Sequence, residues 1–288
     1  AHLETFNTIK NLQPGRVLFE KIDILNLHSL RAITKKIQPN AIIHFAGLKS
    51  SFESLQKPLN YYHSNLIGTL NLLKICAEFS VSKLIFSSSA TVYGIPYYLP
   101  LDESHKISPV TPYGQSKAMC EQIINDSCNS TDLTACILRY FNPIGAHESG
   151  LLGENPVRRS DNLMPIVSRV VSGQQGKLRI FGIDYETLDG TPERDYIHVS
   201  DLASAHLAAL QVESLVGRYN IFNVGTGRRT SVLQFVKAYE KACGFTLPIE
   251  IVDRREGDIP SCWTDVKKIS RELGWKAKFN LDDMVMSS

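Results

Sequence analysis

The sequence predicts an α/β protein whose first half is built on a parallel sheet. Strand-like and helix-like stretches alternate at least three times before residue 145, the pattern of repeated strand–helix–strand units. The strand candidates are near-continuous apolar runs, above all Ala41-Ile42-Ile43-His44-Phe45-Ala46, as expected where helices cover both faces of a sheet. After Asn142-Pro143 the alternation weakens. Gly, Pro and short charged stretches then interrupt brief helices, which predicts a second, smaller and mixed α/β region.

Taken in order, Leu12–Glu20 contains the strand-like Val17-Leu18-Phe19, followed by Ile22-Asp23-Ile24. Leu27–Ile37 carries Leu27, Leu30, Ile33 and Ile37 at helical spacing. Gly47 punctuates the Ala41–Ala46 strand. Tyr61–Phe79 has Leu66, Leu70, Leu73 and Ala77 on one helical face, and Lys83–Ser87 reads as the next buried strand, ending in Ser87-Ser88-Ser89. A helix over roughly Pro112–Asn129 precedes the strand Thr134–Tyr140. Shorter helices are predicted at Asn162–Ser172 and Asp201–Leu210. No internal repeat, low-complexity tract or Gly/Ser linker separates the units 1–145 and 146–288, so they are expected to pack together.

Among 288 residues, Lys plus Arg total 31 and Asp plus Glu 29, and this near balance implies no general attraction to nucleic acid or anionic membrane. The apolar runs fall short of the ~18 residues a membrane span needs. The start, Ala1-His2-Leu3-Glu4-Thr5-Phe6, has neither basic leader nor apolar core, so a cytoplasmic protein is expected. Six cysteines lacking any CxxC spacing predict reduced thiols and no metal site.

Ligands of open α/β sheets bind at the carboxyl ends of the strands. Three such ends carry chemistry here. Phe45-Ala46-Gly47-Leu48-Lys49 offers small residues for close backbone approach, Ser87-Ser88-Ser89-Ala90-Thr91 offers hydroxyls, and Tyr140-Phe141-Asn142-Pro143 offers an aromatic and an amide. Between the last two lies Tyr113-Gly114-Gln115-Ser116-Lys117, whose Tyr and Lys share a helical face. A phenol is a poor base near neutrality, and a neighbouring ammonium favours its ionised form. With 11 tyrosines such a pair also arises by chance; the upstream hydroxyl cluster is what gives it weight. Likewise Arg194-Asp195 and Arg254-Arg255-Glu256 also read as solvated surface charge, and His44 and His198 as structural.

The chain resembles the extended short-chain dehydrogenase/reductase family, and within it the UDP-glucose 4-epimerase branch. The resemblance is carried by Asp23-Ile24, His44–Lys49, Tyr61–Thr69, Phe86–Gly94, Pro112–Lys117, Leu138–Ala146, Asn162-Leu163-Met164-Pro165, Arg194–Val199 and Arg254–Asp258. It implies a Rossmann-like doubly wound parallel sheet in residues 1–145 that binds NAD, with residues 146–288 mainly binding the UDP-sugar. Tyr113 would be the base, supported by Lys117, while Ser89 and Thr91 position the sugar hydroxyl. Asp23, Ile24, Phe45, Ala46, Gly47, Lys49, Asn65, Ser87 and Tyr140 would join Tyr113 and Lys117 in holding NAD. Lys49, Ser89, Asn142, Asn162, Leu163, Arg194, Tyr196, Arg255 and Asp258 would hold the UDP-sugar around Tyr113. The implied reaction inverts C4 of UDP-glucose or UDP-galactose through a 4-keto sugar, in a homodimer. Cys262, where some members carry a bulky Tyr, implies room for N-acetylated UDP-sugars.

The chain departs from the family pattern in lacking any G-x-x-G-x-x-G or G-x-G-x-x-G loop, the phosphate cradle of this fold. Matched by motif order, residue 1 falls about 30 residues into the pattern, roughly one βαβ unit. The first strand is therefore expected to be missing, leaving a gap beside Ala41–Ala46 and an N-terminally incomplete product. Phe52, Gln115 and the stretch Pro156–Asp161 differ from the family's usual residues, and the carboxyl end stops early. Two alternatives remain: another nucleotide-sugar enzyme of this fold, such as a dehydratase or decarboxylase, and a catalytically silent fragment or dimerisation partner. Ser89-Ala90-Thr91 contains no acid of the kind a dehydratase needs, which favours epimerisation.

Overall fold

A computed structural model describes residues 3–154, 163–212, 217–255 and 258–288. The chain begins with helices α1 (Leu3–Leu12) and α2 (Leu27–Ile37), then enters β1 (Ala41–His44). Helices α3 (Ser51–Gln56), α4 (Pro58–Tyr62) and α5 (Gly68–Glu78) lead to β2 (Lys83–Ser89), and α6 (Pro112–Ser130) leads to β3 (Thr134–Tyr140) and β4 (Asn142–Ile144). Helix α7 (Leu163–Val171), β5 (Leu178–Phe181), β6 (Glu193–Arg194), β7 (Tyr196–His198) and α8 (Val199–Gln211) follow. The chain ends with β8 (Tyr219–Val224), β9 (Thr230–Ser231), α9 (Val232–Cys243), β10 (Ile249–Val252), β11 (Ser261–Cys262), α10 (Lys267–Leu273) and α11 (Leu281–Met286).

The principal sheet is parallel, in the order β1-β2-β3-β8. The middles of β1, β2 and β3 are apolar on both faces because both faces are covered. Successive side chains of a strand point to opposite faces. Thus Leu84 and Phe86 of β2, with Ala135 and Ile137 of β3, pack under α5 and α6 against Leu73, Cys76, Cys120, Ile124 and Cys128. Ile85, Cys136 and Leu138 pack on the other face with Ala205 and Ala209 of α8, Phe222 and Val224 of β8, and Ile269 of α10. The pairing His44↔Phe86 and Ser89↔Tyr140 brings the carboxyl ends of β1, β2 and β3 to one rim. Strand β8 was not foreseen; through it and α8 the second half of the chain returns to this sheet.

The other strands form small pairings, β10-β5, β11-β6-β9 and β4-β7, around a separate apolar cluster in which Met164, Val167, Phe235, Tyr239 and Met284 join α7, α9 and α11. Asp195, between β6 and β7, is fully buried and ties this region to the main sheet. Its Oδ1 accepts from the Thr226 amide (2.8 Å) and hydroxyl (2.7 Å), and its Oδ2 from the Gly227 (2.9 Å) and Thr264 (3.4 Å) amides. Its backbone N–H donates to Cys262 O at 3.1 Å and its carbonyl accepts from Asn142 N at 2.9 Å.

The strand expected at Val17–Phe19 does not form. The segment between α1 and α2 pairs with no strand among the described residues; Leu18 is exposed, and Phe19 packs its ring 4.4 Å from Phe6 of α1. A three-residue apolar run acquires strand geometry only where a neighbouring strand accepts its ladder of hydrogen bonds. The helix expected over Tyr61–Phe79 is one continuous rod, but it contains a wider π turn at His63–Ile67. Among the described residues no helix is long and apolar enough to cross a membrane, no His/Cys/Asp/Glu cluster suits a metal ion, and the six cysteines are free.

Replacing Asp195 with Ala leaves the part-buried Thr226 and Gly227 amides and the buried Thr264 amide without this acceptor, a costly loss. Urea denaturation is expected to show a stability loss of about 3 kcal/mol. Asp282→Ala, which removes an exposed pair with Lys241, should change stability little.

Candidate active site

Helix α6 starts where the sequence supplies a cap and a stop to fraying: the Thr111 hydroxyl accepts from Gly114 N at 3.2 Å, and Pro112 occupies the first turn. Gly114 permits close approach, since a Cβ there would lie 2.7 Å from the Thr91 carbonyl oxygen. That approach sets Tyr113 against the end of β2. Its phenol interacts with the Ser89 hydroxyl, its ring meets Tyr61 edge-on at 6.3 Å, and burial raises its pKa above the usual tyrosine value although Ser89 opposes the shift. The Thr91 hydroxyl donates to Ser89 Oγ at 3.0 Å.

Lys117, one turn further, is buried and donates from Nζ to the Ser87 carbonyl at 2.7 Å, with the Phe86 ring 4.8 Å from the ammonium. Burial lowers its pKa to about 8, partly opposed by Cys120 and Glu121. Glu121, on the same stripe, accepts from Ser88 Oγ at 2.5 Å and forms a buried bidentate pair with Arg139 of β3. Arg139 also donates to the Tyr93 hydroxyl at 2.9 Å, which donates to Asn223 of β8 at 2.6 Å.

Asn65 lies inside the π turn, a feature that recurs at functional positions. Its Oδ1 accepts from Leu48 N at 2.8 Å, and its Nδ2 donates to Leu48 O and to Ser116 Oγ. The wide turn thereby joins the loop after β1 to α6. Gly47 has φ +155°, and a Cβ there would press on Asn65 Oδ1 at 2.9 Å. His44 hydrogen-bonds Thr69 at 3.1 Å, and burial holds its pKa down at about 3, so the ring is neutral.

The remaining expected residues fall in several places. Phe45, Ala46 and Gly47 are exposed at the rim, with Phe45 packed on the His206 ring at 4.7 Å; His206 in turn hydrogen-bonds Tyr140. Asp23 and Ile24 lie in the turn before α2, where Asn71 of α5 donates to the Ile24 carbonyl at 3.1 Å. Lys49 is exposed and pairs with Glu154 at 3.4 Å. Arg194 forms an ion pair with Asp258 and donates to the Glu193 and Ile259 carbonyls. Arg255 stacks on the Phe181 ring at 3.8 Å and lines an open cleft of about 700 Å³ with Arg169, Lys177 and Arg179. Asn142 is exposed, whereas Leu163 packs at the edge of the second apolar cluster. Tyr196 is buried in that cluster against Phe235 and borders a separate cavity of about 320 Å³. Cys262 packs with Val92, Tyr93, Phe141 and Ala90, beside the hydroxyl cluster. Asn162, and Glu256 and Gly257 of the resemblance stretches, lie outside the described residues.

Glu121, Phe181 and His206 were not singled out by the sequence reading, and Ser88 and Asp195 entered it only within the hydroxyl and charge clusters, with no role of their own. Glu121 was accessible to it, standing four residues beyond Lys117. Phe181 offered a weaker signal, an aromatic closing a short strand before Gly182.

The chain matches the family described as GDP-mannose 4,6 dehydratase over residues 1–287. It is 50% identical over 283 residues to the UDP-glucose 4-epimerase of Bos taurus, covering 98% of this chain and 81% of that one. Its identity to the Bacillus subtilis UDP-glucose 4-epimerase is 44% over 286 residues, covering 99% and 84%. The crystal structure of UDP-glucose 4-epimerase from Bifidobacterium longum in complex with NAD+ and UDP superposes with a TM-score of 0.95 at 43% identity, covering all of this chain and 86% of that one. The shared parallel sheet and these extended identities agree, and the chain belongs to the UDP-glucose 4-epimerase family of extended short-chain dehydrogenases/reductases.

Proposed function

We propose that this chain catalyses NAD-dependent 4-epimerisation of UDP-glucose and UDP-galactose through a 4-keto sugar. The observation that carries the reading is the Tyr113–Lys117 stripe of α6, buried against the hydroxyls and carbonyls that end β2. The rim fits the cofactor. Three consecutive exposed residues, Phe45–Gly47, follow β1, and Lys117 has one hydrogen bond among the described residues, leaving two N–H donors for ribose hydroxyls. Phe45–Gly47 and Lys117 would hold NAD there, and it would supply the hydride chemistry at sugar C4.

In this assignment Tyr113 takes the proton from the 4-hydroxyl and gives it back, and because the hydride would be returned as well, the sugar undergoes no net oxidation. Ser89 and Thr91 hold that hydroxyl. Lys117 supplies positive charge beside the forming phenolate, and Asn65, Ser87 and Tyr140 complete the nicotinamide side, with Asp23 and Ile24 toward the adenine. Arg194, Asp258 and Arg255 anchor the UDP portion through charge and planar stacking, with Asn142, Asn162, Leu163, Tyr196 and Lys49 around it. Residues 1–145 thus serve NAD, and residues 146–288 mainly the UDP-sugar. We assign the protein to the cytoplasm and to a homodimer, for which exposed Leu55, Leu59 and Met119 on the mutually packed α3, α4 and α6 offer an apolar face. A dehydratase reading finds no carboxylate hydrogen-bonded to Ser89 or Thr91 among the described residues.

Purified chain supplied with NAD and UDP-galactose is expected to form UDP-glucose. Tyr113→Phe should lower kcat by about a thousandfold while NAD binding is kept; retention of full activity would overturn the assignment of the base.

Cys262→Tyr sets a bulky ring beside Ala90 and Ala118. Turnover of UDP-N-acetylglucosamine and UDP-N-acetylgalactosamine is expected to fall at least about tenfold more than that of UDP-galactose, the ordinary scale of steric discrimination. Equal loss of both classes counts against Cys262 as the residue that admits the N-acetyl group.

A further inference from the structure

Tyr113, Lys117 and Glu121 follow one another at a spacing of four, so they form a single stripe along α6. Each meets a different one of three successive residues of β2: Tyr113 the Ser89 hydroxyl, Lys117 the Ser87 carbonyl at 2.7 Å, and Glu121 the Ser88 hydroxyl at 2.5 Å. Glu121 also accepts from Arg139 Nε at 3.1 Å and Nη2 at 2.6 Å. Arg139 and Ser88 are directly paired residues of adjacent strands, so one carboxylate grips β2 and β3 at the same level. Both side chains of the ion pair are almost completely buried.

We propose that Glu121 is a positioning residue of the reaction: gripping Ser88 and Arg139, it fixes the height of α6 against β2 and keeps the positive charge on Lys117. The proposal rests on the epimerase reading above. It has two separable parts. The Ser88 bond sets the register by which Tyr113 faces Ser89, and the carboxylate charge opposes the burial that favours neutral Lys117.

The groups around Lys117 leave that second task to Glu121. His44 on β1 is held neutral by burial; Tyr113 and Cys120 on α6 and Tyr140 on β3 have pKa values raised by burial and are uncharged near neutrality. Arg139 on β3 is a cation and is itself bound by Glu121. Among these groups Glu121 is the one carboxylate acting on Lys117, and it raises the lysine's proton affinity.

The two parts are tested by Ser88→Ala, which removes the register bond and keeps the charge pair, and Glu121→Gln, which keeps an acceptor for Ser88 and removes the charge. The Lys117 ε-carbon is titrated by NMR in the chain alone, with its resonance assigned through Lys117→Arg, and folding is checked by circular dichroism. Glu121→Gln is expected to lower the Lys117 midpoint by about half a pH unit or more, while Ser88→Ala leaves it in place. In UDP-galactose turnover, Ser88→Ala is expected to lower kcat about tenfold with KM changed less than about twofold, the signature of lost alignment in the transition state. An unmoved Lys117 midpoint in Glu121→Gln, or a normal kcat in Ser88→Ala, overturns the proposal. Should Glu121→Gln not fold, the kcat-against-KM split in Ser88→Ala decides. Absence of turnover by the unaltered chain would instead overturn the epimerase reading, and the lysine titration would still decide the role of Glu121.

Discussion

The contact between the opening turns of α6 and the last residues of β2 sets the geometry of the candidate site, because the same helix also closes the core. Cys120, Ile124 and Cys128 of α6 pack on β2 and β3, while Tyr113 and Lys117 face the strand end. Moving the helix to relieve the site would open the core, and moving it to improve the core would displace the phenol. Close packing makes such shifts costly even at the scale of a methylene. Gly114 is the point of tightest approach, where the Thr91 carbonyl comes within 2.7 Å of any added Cβ. The hydroxyl cluster and the helix start are therefore one mechanical unit.

Electrostatics in that unit runs against its proposed use. Burial raises the Tyr113 pKa and lowers that of Lys117 to about 8, and both changes disfavour a phenolate beside an ammonium. The resting site is a neutral phenol next to a cation that is only partly secured. A buried ion pair is weak evidence for stability, since desolvation offsets much of its attraction. The Glu121–Arg139 pair is better understood through what else the carboxylate touches, namely Ser88 and, through space, Lys117. Proton transfer from a sugar hydroxyl to Tyr113 then requires additional positive charge at the rim. In the proposed reaction the oxidised dinucleotide would add positive charge at the rim, which favours the phenolate.

The features legible in the sequence were those with a local period. Leu27–Ile37, Lys83–Ser87 and Thr134–Tyr140 announce their structures through spacing, and Tyr113 and Lys117 through their separation by one helical turn. Strand β8 was not legible: Asn220 and Asn223 interrupt its apolar character, and the buried side-chain amide of Asn223 finds its partners in Tyr93 and Leu101, distant in the chain. Asp195 was hidden for the same reason. Beside Arg194 it reads as surface charge, and only the fold surrounds it with the amides of residues 226, 227 and 264. Val17–Phe19 failed in the opposite direction. Its composition suits a strand, but strand geometry requires a partner, and its aromatic instead packs on α1.

The proposed reaction requires the sugar ring to present both faces to one base while its nucleotide stays attached. The distribution of side chains meets that requirement. Long charged and aromatic groups, Arg194 with Asp258 and Arg255 on Phe181, stand on β6, β5 and the segment before β11, where in the proposed reaction the guanidinium groups would hold the nucleotide diphosphate. Around the hydroxyl cluster several side chains are short, Ser89, Ala90, Thr91, Ala118 and Cys262, packed on the larger Val92, Tyr93 and Phe141. In the proposed reaction, short hydroxyls and methyl groups would contact a hexose without gripping it, leaving a 4-keto sugar free to turn while its diphosphate is held. Shape and charge are thus divided between two parts of the chain, and Asp195 joins them. Its backbone bonds Asn142 beyond β3 and Cys262 in β11, so anchorage and turnover share one rigid frame.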